Sequence, residues 1–197
     1  MTQEYSQILV FDIETIGNIS SPNFVREMDL TVVGVYHYDR DEYKTYFKED
    51  LPELEKDLYQ ADLLVGFNNE HFDTPILDKY YTFDLWNIPS FDILKEFRNQ
   101  TGKRVGLNSI AGASLSMYKS GSGAEAMTLY KEERYQELAD YCLDDVKLTK
   151  EVFEKGITEG KLAYTSKDGW LRLEVPFQYN LDEFIVSQKK KLQHRFL

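Results

Sequence analysis

Cysteine occurs once in 197 residues, at Cys142, which excludes a disulfide framework within the chain and a zinc centre built on several thiolates. No internal repeat of about 20 to 50 residues is present either. No run of about 18 apolar residues occurs, so no membrane-spanning helix is expected. The N-terminal Met1-Thr2-Gln3-Glu4-Tyr5 has neither the basic nor the apolar part of a secretory signal, and a reducing, cytoplasmic setting is the simplest expectation. Positive charge is also short. Lys and Arg total 23 against 34 Asp and Glu, a formal net charge of −11. A broad basic footprint of the kind that grips duplex phosphates is therefore not expected.

What remains is ordinary for a globular chain: 42% apolar and 29% charged residues, enough for one substantial core and a small appendage. Gln7 to Phe11 reads as a buried strand ending at an acidic segment. Leu30 to Tyr38 and Glu42 to Phe47 read as a hairpin across Asp39-Arg40-Asp41. Leu51 to Ala61 reads as a helix with Asp50 as its cap, Leu63 to Phe67 as a strand, and Asp73 to Tyr81 as a helix. Pro89 to Phe97 enters a helix through a short strand or turn, and Leu107 to Leu115 is helical with Asn108 as cap. Ser116 to Thr128, with Ser120-Gly121-Ser122-Gly123, reads as a mobile loop. Glu132 to Lys155 has the strongest helical period, stopped by Gly156. Beyond it, Leu162 to Thr165 and Trp170 to Val175 flank Ser166-Lys167-Asp168-Gly169 as a hairpin, and Asp182 to Leu192 is a terminal helix. Strands followed by alternating strands and helices indicate an α/β fold with a mixed central sheet.

Three acidic segments carry the chemistry: Phe11-Asp12-Ile13-Glu14-Thr15, Gly66-Phe67-Asn68-Asn69-Glu70-His71-Phe72-Asp73, and Tyr141-Cys142-Leu143-Asp144-Asp145. Asp12 and Glu14 share a face if their strand continues. Asp73 opens a helix, and taken alone it reads as that helix's cap. Tyr141 and Asp145 are four apart on one helical face, whereas Asp144 points to solvent. Four carboxylates brought to one cleft would repel one another unless divalent cations lay between them, an arrangement suited to phosphodiester hydrolysis.

These segments resemble the three exonuclease motifs of the DEDD 3′–5′ exonuclease superfamily, whose fold is ribonuclease H-like. Tyr141 places the resemblance in the tyrosine branch, since the position used by histidine in the other branch is Asp140 here. The second and third segments look most like the proofreading exonuclease domain of family-B DNA polymerases. With no polymerase following, the chain is most similar to stand-alone or helicase-associated members. The resemblance covers about residues 5–158, with 159–197 as an extension that is not a separate domain. It implies that Asp12, Glu14, Asp73 and Asp145 hold two divalent cations, Mg²⁺ or Mn²⁺, and that Tyr141 orients the attacking water. It further implies that Thr15, Asn68 and Phe72 grip the terminal nucleotides. The implied activity is release of 5′-mononucleotides from the 3′ end of single-stranded nucleic acid, DNA in preference to RNA, with a helicase or polymerase as partner. Lys95, Arg98, Lys103 and Arg104 precede the Leu107 helix and are candidates for backbone contacts, with a solvated helix end and turn as the equal alternative. The Ser116–Thr128 loop with Lys119 is a candidate to close over the substrate, a plain connector being its alternative. A ribonuclease H-like endonuclease and a binding module without activity remain as competing expectations.

Overall fold

The computed structural model describes residues 7–119, 121–166, 169 and 171–193. Strand β1 (Ile8–Ile16) is central. A short helix α1 (Phe24–Glu27) leads to β2 (Asp29–His37) and β3 (Glu42–Tyr46), both antiparallel to their neighbours. Helix α2 (Leu51–Gln60) then crosses to β4 (Leu63–Gly66), and α3 (Asp73–Leu77) to β5 (Ser90–Asp92). Both of these strands run parallel within a five-stranded sheet of order β3-β2-β1-β4-β5. Helices α4 (Ile93–Thr101), α5 (Leu107–Leu115), α6 (Gly123–Lys131) and α7 (Tyr135–Glu159) follow. A hairpin of β6 (Lys161–Thr165) and β7 (Arg172–Pro176) and a last helix α8 (Leu181–Gln193) complete the described chain. This is the mixed sheet flanked by helices, with a small C-terminal hairpin, that the sequence implies.

The two faces of β1 explain where its acids go. Leu9, Phe11 and Ile13 point into a core shared with Leu51, Leu54 and Leu58 of α2. Val10 points the other way, into a core shared with Val146 and Val152 of α7. The strand period of two therefore directs Asp12 and Glu14 toward α7.

Helix α7 can approach closely because Gly34, the β2 partner of Asp12, has no side chain. A Cβ there would lie 2.9 Å from Cys142 Sγ and 3.0 Å from Val146 Cγ2. Gly34→Ala is accordingly expected to cost about 1–3 kcal/mol through overpacking. Urea unfolding of both single variants and of Gly34→Ala/Cys142→Ala checks the cause: the double variant should lose less than the sum of the singles.

Several boundaries differ from the sequence reading. Strand β1 does not end at Phe11 but runs through the acidic segment to Ile16. The segment read as a loop over Ser116 to Thr128 contains α6, whose Ala126 and Leu129 pack against Val32 and Leu138. Helix α7 begins at Tyr135 rather than Glu132 and passes Gly156 to end at Gly160, whose φ of +66° makes it the true stop. Gly156 is instead a packing glycine, with Phe177 filling the space a side chain would need. Asp50 stands at the N-cap position of α2 as expected, but its carboxylate accepts the Phe47 N–H rather than an N–H of α2, and Asn108 lies inside α5, whose N-cap is Gly106. Asp73 to Tyr81 is split into α3 and a 3₁₀ turn, Asp78–Tyr80. Ser120, Lys167, Asp168, Trp170 and Arg195 lie outside the described residues. Among the described residues no helix is long and apolar enough to cross a membrane.

Candidate active site

Asp12 and Glu14 on β1 meet Asp145 on α7, with one carboxylate oxygen from each lying within 4.8 Å of the others. Glu14 is 9% and Asp145 2% exposed, so water shields their charges poorly. Asp73 joins them from α3 and lines the same cleft of about 410 Å³, as does Tyr141, one helical turn before Asp145. Asp73 does not merely cap its helix. Strand β1 pairs with β4 only as far as Val10, and the Asp73 carboxylate accepts the free N–H of Ile13 at 3.1 Å. This hydrogen bond ties α3 to β1 beside the irregularity between Glu14 and Thr15.

Burial and mutual repulsion raise the acids together. Asp12 stands well above the usual carboxylate range because of burial and then the charges of Asp73, Asp145 and Glu14. Glu14 is pushed up to about 8 by burial and then Asp145. Asp73 reaches about 7 through burial, against the pull of the Ile13 N–H. Asp145 is also raised by burial, with Lys119 opposing. Tyr141 is raised by burial and by the nearby acids, so its hydroxyl keeps its proton; it makes no hydrogen bond among the described residues.

Lys119 is the counter-charge. Its ammonium lies 2.5 Å from Asp145 Oδ2 within this cluster. Burial would lower it, but Asp12, Asp145 and Glu14 together raise it. Its backbone N–H is held at 2.6 Å by the side chain of Asn108. The other Asp145 oxygen, Oδ1, is buried without a hydrogen-bond partner among the described residues. An all-oxygen donor set with an orphaned, buried carboxylate oxygen fits a hard divalent cation. Asp12, Glu14 and Asp145 could hold one.

Thr15, Asn68 and Phe72 line the same cleft. Phe72 stacks on Phe24, ring centroids 5.9 Å apart, so packing accounts for part of its position. Asn68 adopts φ +65°, which Asn tolerates better than most residues. Asp92 was not singled out by sequence. It accepts from the backbone N–H groups of Asn68 (2.9 Å), Glu70 (3.2 Å) and Lys95 (3.2 Å), and so fixes the loop that carries Asn68. Asp144 is exposed, as its helical position implies. Lys95 pairs with Glu70 at 2.6 Å.

The RNase_H_2 family, described as RNase_H superfamily, matches residues 9–156, which include every acid of the cleft. The chain belongs to the RNase_H superfamily. Members of this superfamily are nucleases, and the five-stranded mixed sheet is its ribonuclease H-like fold. No curated protein matches the sequence. The structure of the family B DNA polymerase from the hyperthermophilic archaeon Pyrobaculum calidifontis matches with a TM-score of 0.58 and 18% identity. That match covers 76% of this chain and 24% of the polymerase, and it shows likeness of fold.

Proposed function

We propose that this RNase_H superfamily chain is a metal-dependent 3′–5′ exonuclease, acting on single-stranded nucleic acid and on DNA in preference to RNA. The observation that carries the reading is the meeting of Asp12, Glu14 and Asp145 in one cleft that Asp73 and Tyr141 also line. Two divalent cations, Mg²⁺ or Mn²⁺, would supply an activated water and charge stabilisation for the leaving oxygen. Asp12, Glu14 and Asp145 would hold them, with Asp73 supporting the second. Tyr141, protonated and with no hydrogen bond among the described residues, donates or accepts one hydrogen bond to orient the attacking water toward the terminal phosphodiester. Thr15, Asn68 and Phe72 position the last nucleotides. In this reading residues 5–158 are the nuclease body and 159–197 an extension of it. The likeness of fold to a polymerase supports a polymerase context for the substrate 3′ end; a helicase partner follows from the motif resemblance alone.

A 5′-labelled single strand incubated with Mg²⁺ or Mn²⁺ tests this. Shortening one nucleotide at a time from the 3′ end, with 5′-mononucleotides as product and no reaction in EDTA, is the expected outcome. Cuts within the strand or at hybrid junctions would support the endonuclease instead. Tyr141→Phe should lower kcat by about ten- to a hundredfold with little change in KM, because it removes an orienting bond and no cation ligand.

A further inference from the structure

Next to the acid cleft lies a larger groove of about 890 Å³, between α5 and the end of β6. Lys103, Arg104, Asn108, Tyr118 and Tyr164 line it. Two links connect it to the acids. Asn68 lines both the acid cleft and a polar cleft of about 610 Å³, and Arg104 lines that polar cleft and the large groove. Arg104 itself donates to Asn68 Oδ1 at 3.4 Å. The second link is Lys119, whose ammonium is among the acids while its backbone is held by Asn108 of the groove wall.

The charges on this path are unusual for the chain. Among the described residues, Arg98, Lys103 and Arg104 make no ion pair with a carboxylate, although acids outnumber bases 34 to 23. Lys103 is held by a neutral partner, the Tyr164 hydroxyl at 3.1 Å, with its ammonium 5.6 Å from that ring's centroid. Tyr118 is 71% exposed and rests against Gly112, where a Cβ would come within 2.6 Å of its ring. The walls are fixed. Ser109 Oγ bonds both the N–H and the carbonyl of Thr165, and Ser114 Oγ does the same for Ala163. The hairpin is thereby held along α5 as if that helix were a neighbouring strand.

We propose that this groove holds the single strand upstream of the bond that is cut, so that the C-terminal hairpin is a wall of the substrate path. The inference rests on the nuclease reading of the acid cleft. Unpaired cations interleaved with an exposed ring suit alternating phosphates and bases, and stacking on Tyr118 is indifferent to sequence. Two or three phosphate contacts give a shallow salt dependence, a slope of about −2 in log K against log salt for a single strand.

Anisotropy of a 5′-fluorescein oligothymidylate bound to the full chain in EDTA tests the groove without turnover. Tyr118→Ala and Lys103→Glu should each weaken binding by about tenfold, and Tyr118→Phe and Lys103→Arg should restore it. Thermal midpoints of all four variants establish folding. Wild-type affinity in both Tyr118→Ala and Lys103→Glu overturns the proposal, as does failure of Tyr118→Phe to recover binding when its midpoint is normal. The nuclease reading fails separately. If the oligonucleotide binds as described but Mg²⁺ and Mn²⁺ elicit no hydrolysis, the groove stands and the activity does not.

Discussion

Asp12→Asn should lower metal-dependent hydrolysis by about a thousandfold or more and, in EDTA, raise the melting temperature. The loss corresponds to ~4 kcal/mol of transition-state stabilisation, the size expected if Asp12 is shared between cations as proposed. The gain has a separate cause. Asp12 lies among Asp73, Asp145 and Glu14, and their repulsion, added to burial, outweighs the attraction of Lys119. The folded chain therefore either carries a strained charge or holds a proton that the unfolded chain would have released. Asparagine has the same shape and neither cost. Each kcal/mol recovered is worth ~2–4 °C in a chain of this size. Scanning calorimetry beside the exonuclease assay decides the matter. Near-full turnover would remove the acid cleft from the chemistry, and a lowered midpoint would show that repulsion does not dominate there.

The second large effect is a pH-dependent response to divalent cations. Glu14 titrates near 4.5 when unfolded and at about 8 when folded; Asp73 moves from 3.8 to about 7. Between those limits the folded chain binds more protons than the unfolded one, so stability in EDTA falls as pH rises from about 4 toward 8. The contribution is fully present only below the unfolded values. A cation requires these carboxylates ionised, so its binding releases protons and strengthens over the same range. Mn²⁺ should barely move the melting temperature at pH 5 and raise it strongly at pH 8.5, where a hundredfold excess over Kd adds ~2.7 kcal/mol of stability. An increment that does not change with pH would argue that the ion binds elsewhere.

The acids were legible because their spacing along the chain matches a known order, and because Tyr141 and Asp145 fall four apart on a strongly periodic helix. What the chain hides is continuity. Asp12 and Glu14 look like a strand's exit, since acids are rare inside sheets; β1 runs on because its other face stays apolar at Ile13. Helix α6 is obscured by the Ser-Gly repeat at its start, although Ala126 and Leu129 three apart are its buried stripe. Gly156 misleads because a glycine in a helix can serve a close contact as well as an ending, and only Phe177, twenty-one residues on, tells which. Lys119 carries no local signal. Its role depends on a carboxylate 26 positions away. The same is true of the groove, whose walls come from segments tied together through Ser109, Ser114 and Lys103 across at least 49 positions of sequence.

Cys142 lies wholly buried at the seam between α7 and the sheet, its sulfur 3.6 Å from the carbonyl oxygen of Asp12. Burial first, then the surrounding acids, pushes its thiol up, so it stays protonated and unreactive while the seam is closed. Ala126 and Leu129 of α6 share its buried cluster with Val32 of β2, so a reagent reaches it only when the packing of α6 or α7 on the sheet opens. The thiol of this chain's one cysteine is thus a natural sensor of assembly: any molecule in which it becomes labelled is one whose helices over the acid-bearing sheet have, for that instant, come loose.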